Sequence, residues 1–124
     1  MANEKILVVD DDKNICELLR LYLVKEGYNV TMVHDGAAAL AEFDKLHPNL
    51  VLLDVMMPVM DGYTATRTIR RLDRPDAGRI PILATTANAF AEDRRRACEA
   101  GMNEHLTKPL ETELVIKTLA KYRK

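Results

Sequence analysis

The sequence predicts an α/β fold in which a parallel sheet is covered by helices on both faces. Short apolar runs alternate five times with longer stretches in which apolar residues recur at helical spacing. The third run, Leu50 to Leu53, lacks the in-and-out alternation of half-exposed strands, as is typical of parallel strands buried on both faces. Successive strand–helix pairs predict parallel pairing, because each helix returns the chain to the edge where the previous strand began.

The individual elements follow from the order of these runs. The predicted strands are residues 6–9, 30–33, 50–53, 80–85 and 104–107. The predicted helices are residues 15–23, 37–46, 65–72, 90–100 and 111–122. Asp12 is the predicted N-cap of the first helix, and Gly27 and Gly101 are predicted to end the first and fourth helices. Leu18 and Leu19 are expected in the core.

Composition predicts one folded domain over residues 1–124. A hydrophobic content of 48% is too high for a disordered chain. The net charge of −1 supplies no general attraction to nucleic acid or to anionic membranes. No apolar run approaches the ~20 residues needed to span a bilayer. The N-terminus does not resemble a signal peptide, so we expect a cytoplasmic protein.

Several polar residues are expected to play no part in a site. Cys16 and Cys98 are interpreted as reduced, partly buried thiols rather than as a disulfide or zinc ligands. His34 and His47 are interpreted as surface residues without partners. The arginines of the middle of the chain are interpreted as solvated helix faces: Arg67, Arg70, Arg71, Arg74, Arg79, Arg94, Arg95 and Arg96.

Three polar groups stand where predicted strands end. They are the Asp10-Asp11-Asp12 run after the first strand, Asp54 after the third, and Lys108 after the fifth. The carboxyl ends of parallel strands meet at one edge of the sheet, which is where open α/β sheets place their sites. Carboxylates so close to one another favour a hard cation, and we expect this cation to be Mg²⁺.

Four segments in this order carry a family resemblance. They are Val8-Val9-Asp10-Asp11, then Asp54-Val55-Met56-Met57-Pro58-Val59-Met60-Asp61-Gly62, then Thr86-Ala87, and finally Lys108-Pro109. Over its whole length the chain resembles the receiver domain of response regulators from bacterial two-component signalling. The resemblance implies a flavodoxin-like (βα)5 doubly wound fold with strand order 2-1-3-4-5. It also implies a single receiver domain, and we expect no effector domain on it.

The resemblance assigns roles residue by residue. Asp54 resembles the phosphoacceptor, which takes a phosphoryl group from a phosphohistidine donor in a Mg²⁺-dependent reaction. Lys108 resembles the lysine that pairs with the phosphoryl group, Thr86 the switch hydroxyl, and Ala87 the small residue beside the acceptor. The implied metal ligands are Asp10, Asp11, Asp54 and the backbone carbonyl of Met56.

Further positions depend on the same resemblance. His105 stands where the family commonly has a Tyr or Phe that switches with Thr86. Pro109 occupies the position of a cis-proline in the family. Met56 and Asn88 would flank the acceptor and modulate hydrolysis of the phosphoaspartate; we expect slow hydrolysis because Met56 offers no strong hydrogen bond to water.

The partners implied are a sensor histidine kinase or a histidine phosphotransfer protein. Family receivers meet such donors through the first helix and the loop after the fifth strand, here Ile15, Pro109 and Leu110. We expect no direct contact with nucleic acid or membrane, and a monomer or a weak phosphorylation-dependent dimer. The sequence leaves open whether the chain is a stand-alone shuttle, a domain of a larger protein or a chimera.

One rival function belongs to a different class. A phosphatase of the haloacid-dehalogenase type also begins its motif after a strand with Asp-x-Asp, which Asp10-Asp11-Asp12 satisfies. That family usually has Thr or Val in place of Asn14, and it gives Asp54 no role. We therefore expect a signalling phosphoacceptor rather than an enzyme, with catalysis limited to its own phosphorylation and dephosphorylation.

Overall fold

The computed structural model describes residues 4–55, 60–72, 78–86, 91–108 and 110–122, without the side chains of residues 91–93. Strands and helices alternate through these residues, as predicted. The strands are β1 (Lys5–Val9), β2 (Asn29–Val33), β3 (Leu50–Asp54), β4 (Ile82–Thr86) and β5 (Glu104–Thr107). The helices are α1 (Lys13–Lys25), α2 (Gly36–Leu46), α3 (Gly62–Arg70), α4 (Ala91–Ala100) and α5 (Thr112–Ala120).

The five strands form one parallel sheet in the order β2-β1-β3-β4-β5. This order confirms the predicted doubly wound, flavodoxin-like fold. The pairing register aligns the carboxyl ends of the strands, with Val9 beside Leu53, Asp54 beside Thr85, and Thr86 beside Thr107. Residues that follow these strand ends are therefore gathered at one edge of the sheet.

Two hydrophobic cores lie on opposite faces of the sheet. Alternate residues of β1 supply them, since Leu7 and Val9 belong to one core and Ile6 and Val8 to the other. All four side chains are at most 1% exposed. This burial on both faces explains why β1, like the fully buried β3, is a continuous apolar run.

The element boundaries differ from the prediction by up to three residues. The largest difference is at α3, which begins at Gly62 instead of residue 65 because Asp61 caps it. β4 begins at Ile82 instead of residue 80, because Pro81 has no N–H to contribute to the ladder. Helix α5 ends at Ala120, two residues early. Tyr122 beyond it donates its hydroxyl to Glu104 Oε2 at 2.6 Å, which ties the end of α5 to β5.

The predicted roles of Asp12, Gly27 and Gly101 at helix ends are confirmed. Asp12 caps α1, because its Oδ1 accepts the N–H of Asn14 at 2.9 Å and that of Ile15 at 3.4 Å. Gly27 and Gly101 have φ angles of 93° and 105°, the left-handed conformation that favours glycine after a helix. The N-cap of α3 is Asp61, whose Oδ1 accepts the N–H of Thr64 at 2.8 Å.

The expectations for Leu18 and Arg70 are wrong. Leu18 is 49% exposed rather than in the core, whereas Leu19 is buried as expected. Arg70 is not a solvated residue: its guanidinium donates to the carbonyl of Ile80 at 2.7 Å and to that of Gly101 at 2.7 Å. These bonds join α3 to the segment before β4 and to the turn before β5.

No helix in the described part of the chain is long and apolar enough to cross a membrane.

Helix α5 offers a matched test of the core that contains Ile6 and Val8, to which Leu119 also belongs. Leu119 is 1% exposed and Leu114 is 49% exposed, so the same truncation should have different costs. We expect Leu119→Ala to lower the free energy of unfolding by about 2–5 kcal/mol, through lost burial and a residual cavity. Leu114→Ala should change it by less than about 0.5 kcal/mol. Urea titrations followed by circular dichroism measure both, and equal losses would contradict this packing.

Candidate functional site

Three carboxylates meet at the carboxyl edge of the sheet. Asp10 and Asp11 follow β1, and Asp54 is the last residue of the adjacent strand β3. One ligand oxygen from each lies within 4.8 Å of the others. Asp10 and Asp54 are 2% exposed, whereas Asp11 is exposed. The cluster therefore has two buried members and one at the solvent side.

Lys108 completes the cluster from the end of β5. Its Nζ lies 3.0 Å from Asp10 Oδ2 and 3.4 Å from Asp54 Oδ1. Burial alone would lower the pKa of the Lys108 ammonium, but the hydrogen bonds and charges of Asp10 and Asp54 outweigh burial and raise the pKa. The ammonium is therefore charged at neutral pH and holds the two buried carboxylates together.

The charge balance of this group fits a divalent cation. Three ionised carboxylates against one ammonium leave two uncompensated negative charges. The donor atoms are carboxylate oxygens, the ligands that Mg²⁺ and Ca²⁺ prefer. With Asp11 on the solvent side, a cation could keep several of its waters, as Mg²⁺ usually does in proteins.

Asp10 is held through every polar atom that it has. Its N–H donates to the carbonyl of Val33 at 3.2 Å, its Oδ1 accepts the N–H of Asp12 at 2.9 Å, and its Oδ2 faces Lys108. Its backbone carbonyl lies 3.3 Å from Cys16 Sγ and 3.1 Å from His34 Nδ1. The expectation that His34 is a surface residue without a partner is therefore wrong.

The backbone of Asp54 is fixed by a glycine and by β4. The N–H of Val55 donates to the carbonyl of Thr85 at 3.1 Å, and the N–H of Gly62 donates to the carbonyl of Val55 at 3.2 Å. A Cβ added to Gly62 would lie 2.5 Å from the backbone oxygen of Asp54. Only glycine allows α3 to start this close to the acidic cluster.

Thr86 and His105 lie on the neighbouring strands. Thr86 ends β4 and is 2% exposed, and its carbonyl accepts the N–H of Lys108 at 2.7 Å. His105 pairs with Ala84 in the register and is half-buried. The other predicted site residues, Met56, Ala87, Asn88 and Pro109, lie outside the described residues.

An apolar groove between α1 and α5 opens beside this cluster. Its side chains include the following residues: Ile15, Leu18, Tyr22, Leu110, Val115 and Ile116. Lys108 also borders the groove, so one end of it reaches the carboxylates. The exposure of Leu18 and Tyr22, at 49% and 39%, leaves apolar surface in contact with water.

Comparison with known proteins identifies relatives of this chain. Residues 6–120 match the family described as the response regulator receiver domain. The chain is 41% identical over 117 residues to the sensor histidine kinase RcsC of Escherichia coli K12, covering 94% of this chain and 12% of the kinase. The curated relatives are covered to different extents, from 7% of a hybrid histidine kinase of Dictyostelium discoideum to 92% of a 14.6 kDa protein of Leptolyngbya boryana.

Solved structures give the same result. The chemotaxis response regulator CheY4 of Vibrio cholerae superposes with a TM-score of 0.91 at 30% identity, covering 98% of this chain and all of that one (100%). The receiver domain of the sensor histidine kinase PA1611 of Pseudomonas aeruginosa PAO1 gives a TM-score of 0.87 at 36% identity, covering 98% of both chains. That structure is described with a magnesium ion coordinated in the active site cleft.

Some relatives bear on the expected absence of nucleic-acid binding. The DNA-binding response regulator MtrA of Mycobacterium leprae is 37% identical over 122 residues, and the chain spans 52% of it. The expectation of no direct contact with nucleic acid therefore stays a prediction.

The two cysteines should differ sharply in reactivity. The expectation that both thiols are partly buried is wrong, because Cys16 is fully buried and Cys98 is exposed. Burial, together with the negative charges of Asp10 and Asp12, raises the pKa of the Cys16 thiol to about 11. At pH 8 about one Cys16 thiol in a thousand is the reactive thiolate. We expect Ellman's reagent to titrate one thiol rapidly in the folded protein and the second only in urea.

The variant Cys98→Ser identifies which thiol reacts first. It should remove the rapid phase and leave the phase that requires unfolding. Equal rapid reaction of both thiols in the folded protein would contradict the burial of Cys16.

Proposed function

Because the chain belongs to the response regulator receiver domain family, we propose that Asp54 is its phosphoacceptor, with Asp10, Asp11 and Lys108 as the groups that support the transfer. The observation that carries this proposal is the buried Asp10–Lys108–Asp54 arrangement beside the exposed Asp11. It supplies a nucleophilic carboxylate, a fixed ammonium and carboxylate ligands for a divalent cation at one point of the sheet edge.

The proposed reaction is a direct displacement at phosphorus. A carboxylate oxygen of Asp54 forms a bond to the phosphorus of the donor, and the bond from phosphorus to the donor's imidazole nitrogen breaks. The imidazole leaves with the electron pair of that bond. Lys108 lies close enough to both buried carboxylates to pair with the incoming phosphoryl oxygens, where charge accumulates in the transition state.

Mg²⁺ is the cofactor that we propose, held by Asp10, Asp11, Asp54 and the backbone carbonyl of Met56. When bound it would neutralise charge on the phosphoryl oxygens. The chain's own residues prepare this site, because Asp10 is held through its backbone and through both carboxylate oxygens. Asp11 is exposed and completes the ligand set from the solvent side.

The remaining roles depend on the family and stay predictions. We propose that Thr86 is the switch hydroxyl, that His105 replaces the usual aromatic partner, and that Ala87 leaves room for the phosphoryl group. Met56 and Asn88 are proposed to set a slow hydrolysis rate. Pro109 is proposed to be the cis-proline that aims Lys108. Thr86 is buried at the end of β4, beside the strand that carries His105 and Lys108, which supports its role.

The phosphatase alternative has no support. The match to the receiver family covers residues 6–120, and Asp12 is engaged as the N-cap of α1. Asp54 and Lys108 are central to the cluster, although a phosphatase built on Asp10-Asp11-Asp12 would give Asp54 no role. The chain is a signalling protein of the receiver type.

We propose that a sensor histidine kinase or a histidine phosphotransfer protein docks on the groove between α1 and α5. The groove joins exposed apolar side chains to Lys108, so a donor seated there would bring its phosphohistidine towards Asp54. The similarity to the sensor histidine kinase RcsC, 41% identical over 117 residues, supports a histidine-containing donor.

The phosphoacceptor is tested by the mass of the intact protein. After incubation with acetyl phosphate and Mg²⁺, we expect one added phosphoryl group in the wild type and none in Asp54→Asn, because the amide is not a nucleophile. The matched control is Asp44→Asn on the exposed side of α2, which should be phosphorylated normally. Undiminished phosphorylation of Asp54→Asn would overturn the assignment.

The metal site is tested on the exposed carboxylate. Asp11→Asn should weaken Mg²⁺ binding by roughly tenfold and slow phosphorylation, because a charged ligand is lost. It should leave the metal-free fold as stable or more stable, since it relieves like-charge repulsion. Calorimetric titration with Mg²⁺ and urea unfolding measure these effects.

Asp12→Asn is the matched control for this experiment. It removes the neighbouring charge while keeping an N-cap, because Asn caps helices as well as Asp. Its Mg²⁺ affinity should stay close to that of the wild type. If Asp11→Asn binds Mg²⁺ as tightly as Asp12→Asn does, Asp11 is not a ligand.

The docking groove is tested by two substitutions on α1. Leu18 borders the groove and Val24 lies further along the helix, and both are 49% exposed. Leu18→Glu should slow transfer from a phosphorylated histidine phosphotransfer protein of the source organism by roughly tenfold or more. Val24→Glu should not. Both should react with acetyl phosphate like the wild type, and a loss with both donors in Leu18→Glu would contradict a docking role.

A further inference from the structure

Two side chains that have no role in the proposed function, those of Cys16 and His34, contact the backbone carbonyl of Asp10. His34 follows β2, and Cys16 lies in the first turns of α1. Both approach the backbone carbonyl of Asp10, with Cys16 Sγ at 3.3 Å and His34 Nδ1 at 3.1 Å. Cys16 is fully buried and His34 is half-buried.

The position of Asp10 in the sheet explains why it needs such partners. The N–H of Asp10 donates to the carbonyl of Val33, which is the last residue of β2. In a parallel ladder the carbonyl of the same residue faces the same neighbouring strand, two residues further on. Because β2 has ended there, the carbonyl of Asp10 interacts with the ring of His34 and the thiol of Cys16 instead of with a strand N–H.

The contact also determines which ring nitrogen of His34 carries the proton. A backbone carbonyl only accepts hydrogen bonds, so at 3.1 Å the Nδ1 atom must donate. An unprotonated Nδ1 would place two lone pairs against each other. The Cys16 thiol lies 3.7 Å from Nδ1 and is a weak donor, so it does not alter this assignment.

We propose that His34 is a positioning residue: its imidazole is held as the Nδ1–H tautomer and, together with the Cys16 thiol, fixes the carbonyl of Asp10 and thereby the direction of the Asp10 carboxylate. The inference rests on the proposed function in so far as Asp10 is a ligand of the divalent cation. Groups that hold a ligand in place typically change metal affinity by about 10- to 100-fold when they are removed.

The first test is the tautomer itself. In the wild-type protein, above the pH at which its imidazole is charged, long-range ¹H–¹⁵N correlation spectra should show the His34 Nδ1 as the protonated nitrogen and Nε2 as the unprotonated one. This result is independent of any metal or phosphodonor. An Nε2–H tautomer for His34 would overturn the proposal.

The second test uses two amides that differ in reach. The side-chain nitrogen of Asn occupies the position of a histidine Nδ1, whereas that of Gln reaches the position of Nε2. We expect His34→Asn to keep the Mg²⁺ affinity of the wild type and His34→Gln to lose roughly tenfold, by calorimetric titration of each protein with Mg²⁺ alone. His47→Asn, at an exposed position after α2, is the control and should bind like the wild type.

The outcomes separate this inference from the function on which it rests. If Asp10→Asn loses Mg²⁺ affinity while His34→Gln does not, Asp10 is a ligand but His34 does not position it. If Asp10→Asn also binds Mg²⁺ normally, the metal assignment itself fails. Because urea unfolding is measured on every variant, a loss of affinity in His34→Gln at wild-type stability cannot be attributed to misfolding.

Discussion

The repulsion between carboxylates at the sheet edge is the constraint on which the rest of the site depends. At the separation found here, within 4.8 Å, two ionised carboxylates repel each other by roughly 3–4 kcal/mol at an effective dielectric constant near 20. Lys108 offsets part of this by pairing with both buried members. The remaining negative charge makes the site costly to the fold and attractive to a divalent cation.

The fold can tolerate this cost because the two cores support the strands that carry the charges. β1 and β3 are buried on both faces, and their neighbours in the sheet hold them in register. Asp54 is placed by backbone contacts from Thr85 and by the close approach of Gly62. The sheet and its loops therefore position the carboxylates, which is what the proposed phosphoryl transfer requires.

The fold and the centre of the site were predictable because both depend on local patterns. Apolar runs of strand length and helical periodicity fixed the element order, and the ends of parallel strands brought Asp10, Asp54 and Lys108 together. The contacts of His34 and Arg70 are not predictable in this way, because both side chains bind backbone carbonyls far away in the sequence. The separation is 24 residues for His34 with Asp10 and 31 for Arg70 with Gly101. A backbone carbonyl has no sequence signature, so such contacts leave no pattern to detect.

The edge strand β5 links the site to the opposite end of the sheet. At its carboxyl end, the N–H of Lys108 is bonded to the carbonyl of Thr86. At its start, Glu104 accepts hydrogen bonds from Lys121 and Tyr122 beyond the end of α5. His105 follows Glu104 directly and stays half-buried. In the described sheet β5 is the edge strand beside β4, so it joins the carboxylate cluster at one end to the residues that follow α5 at the other.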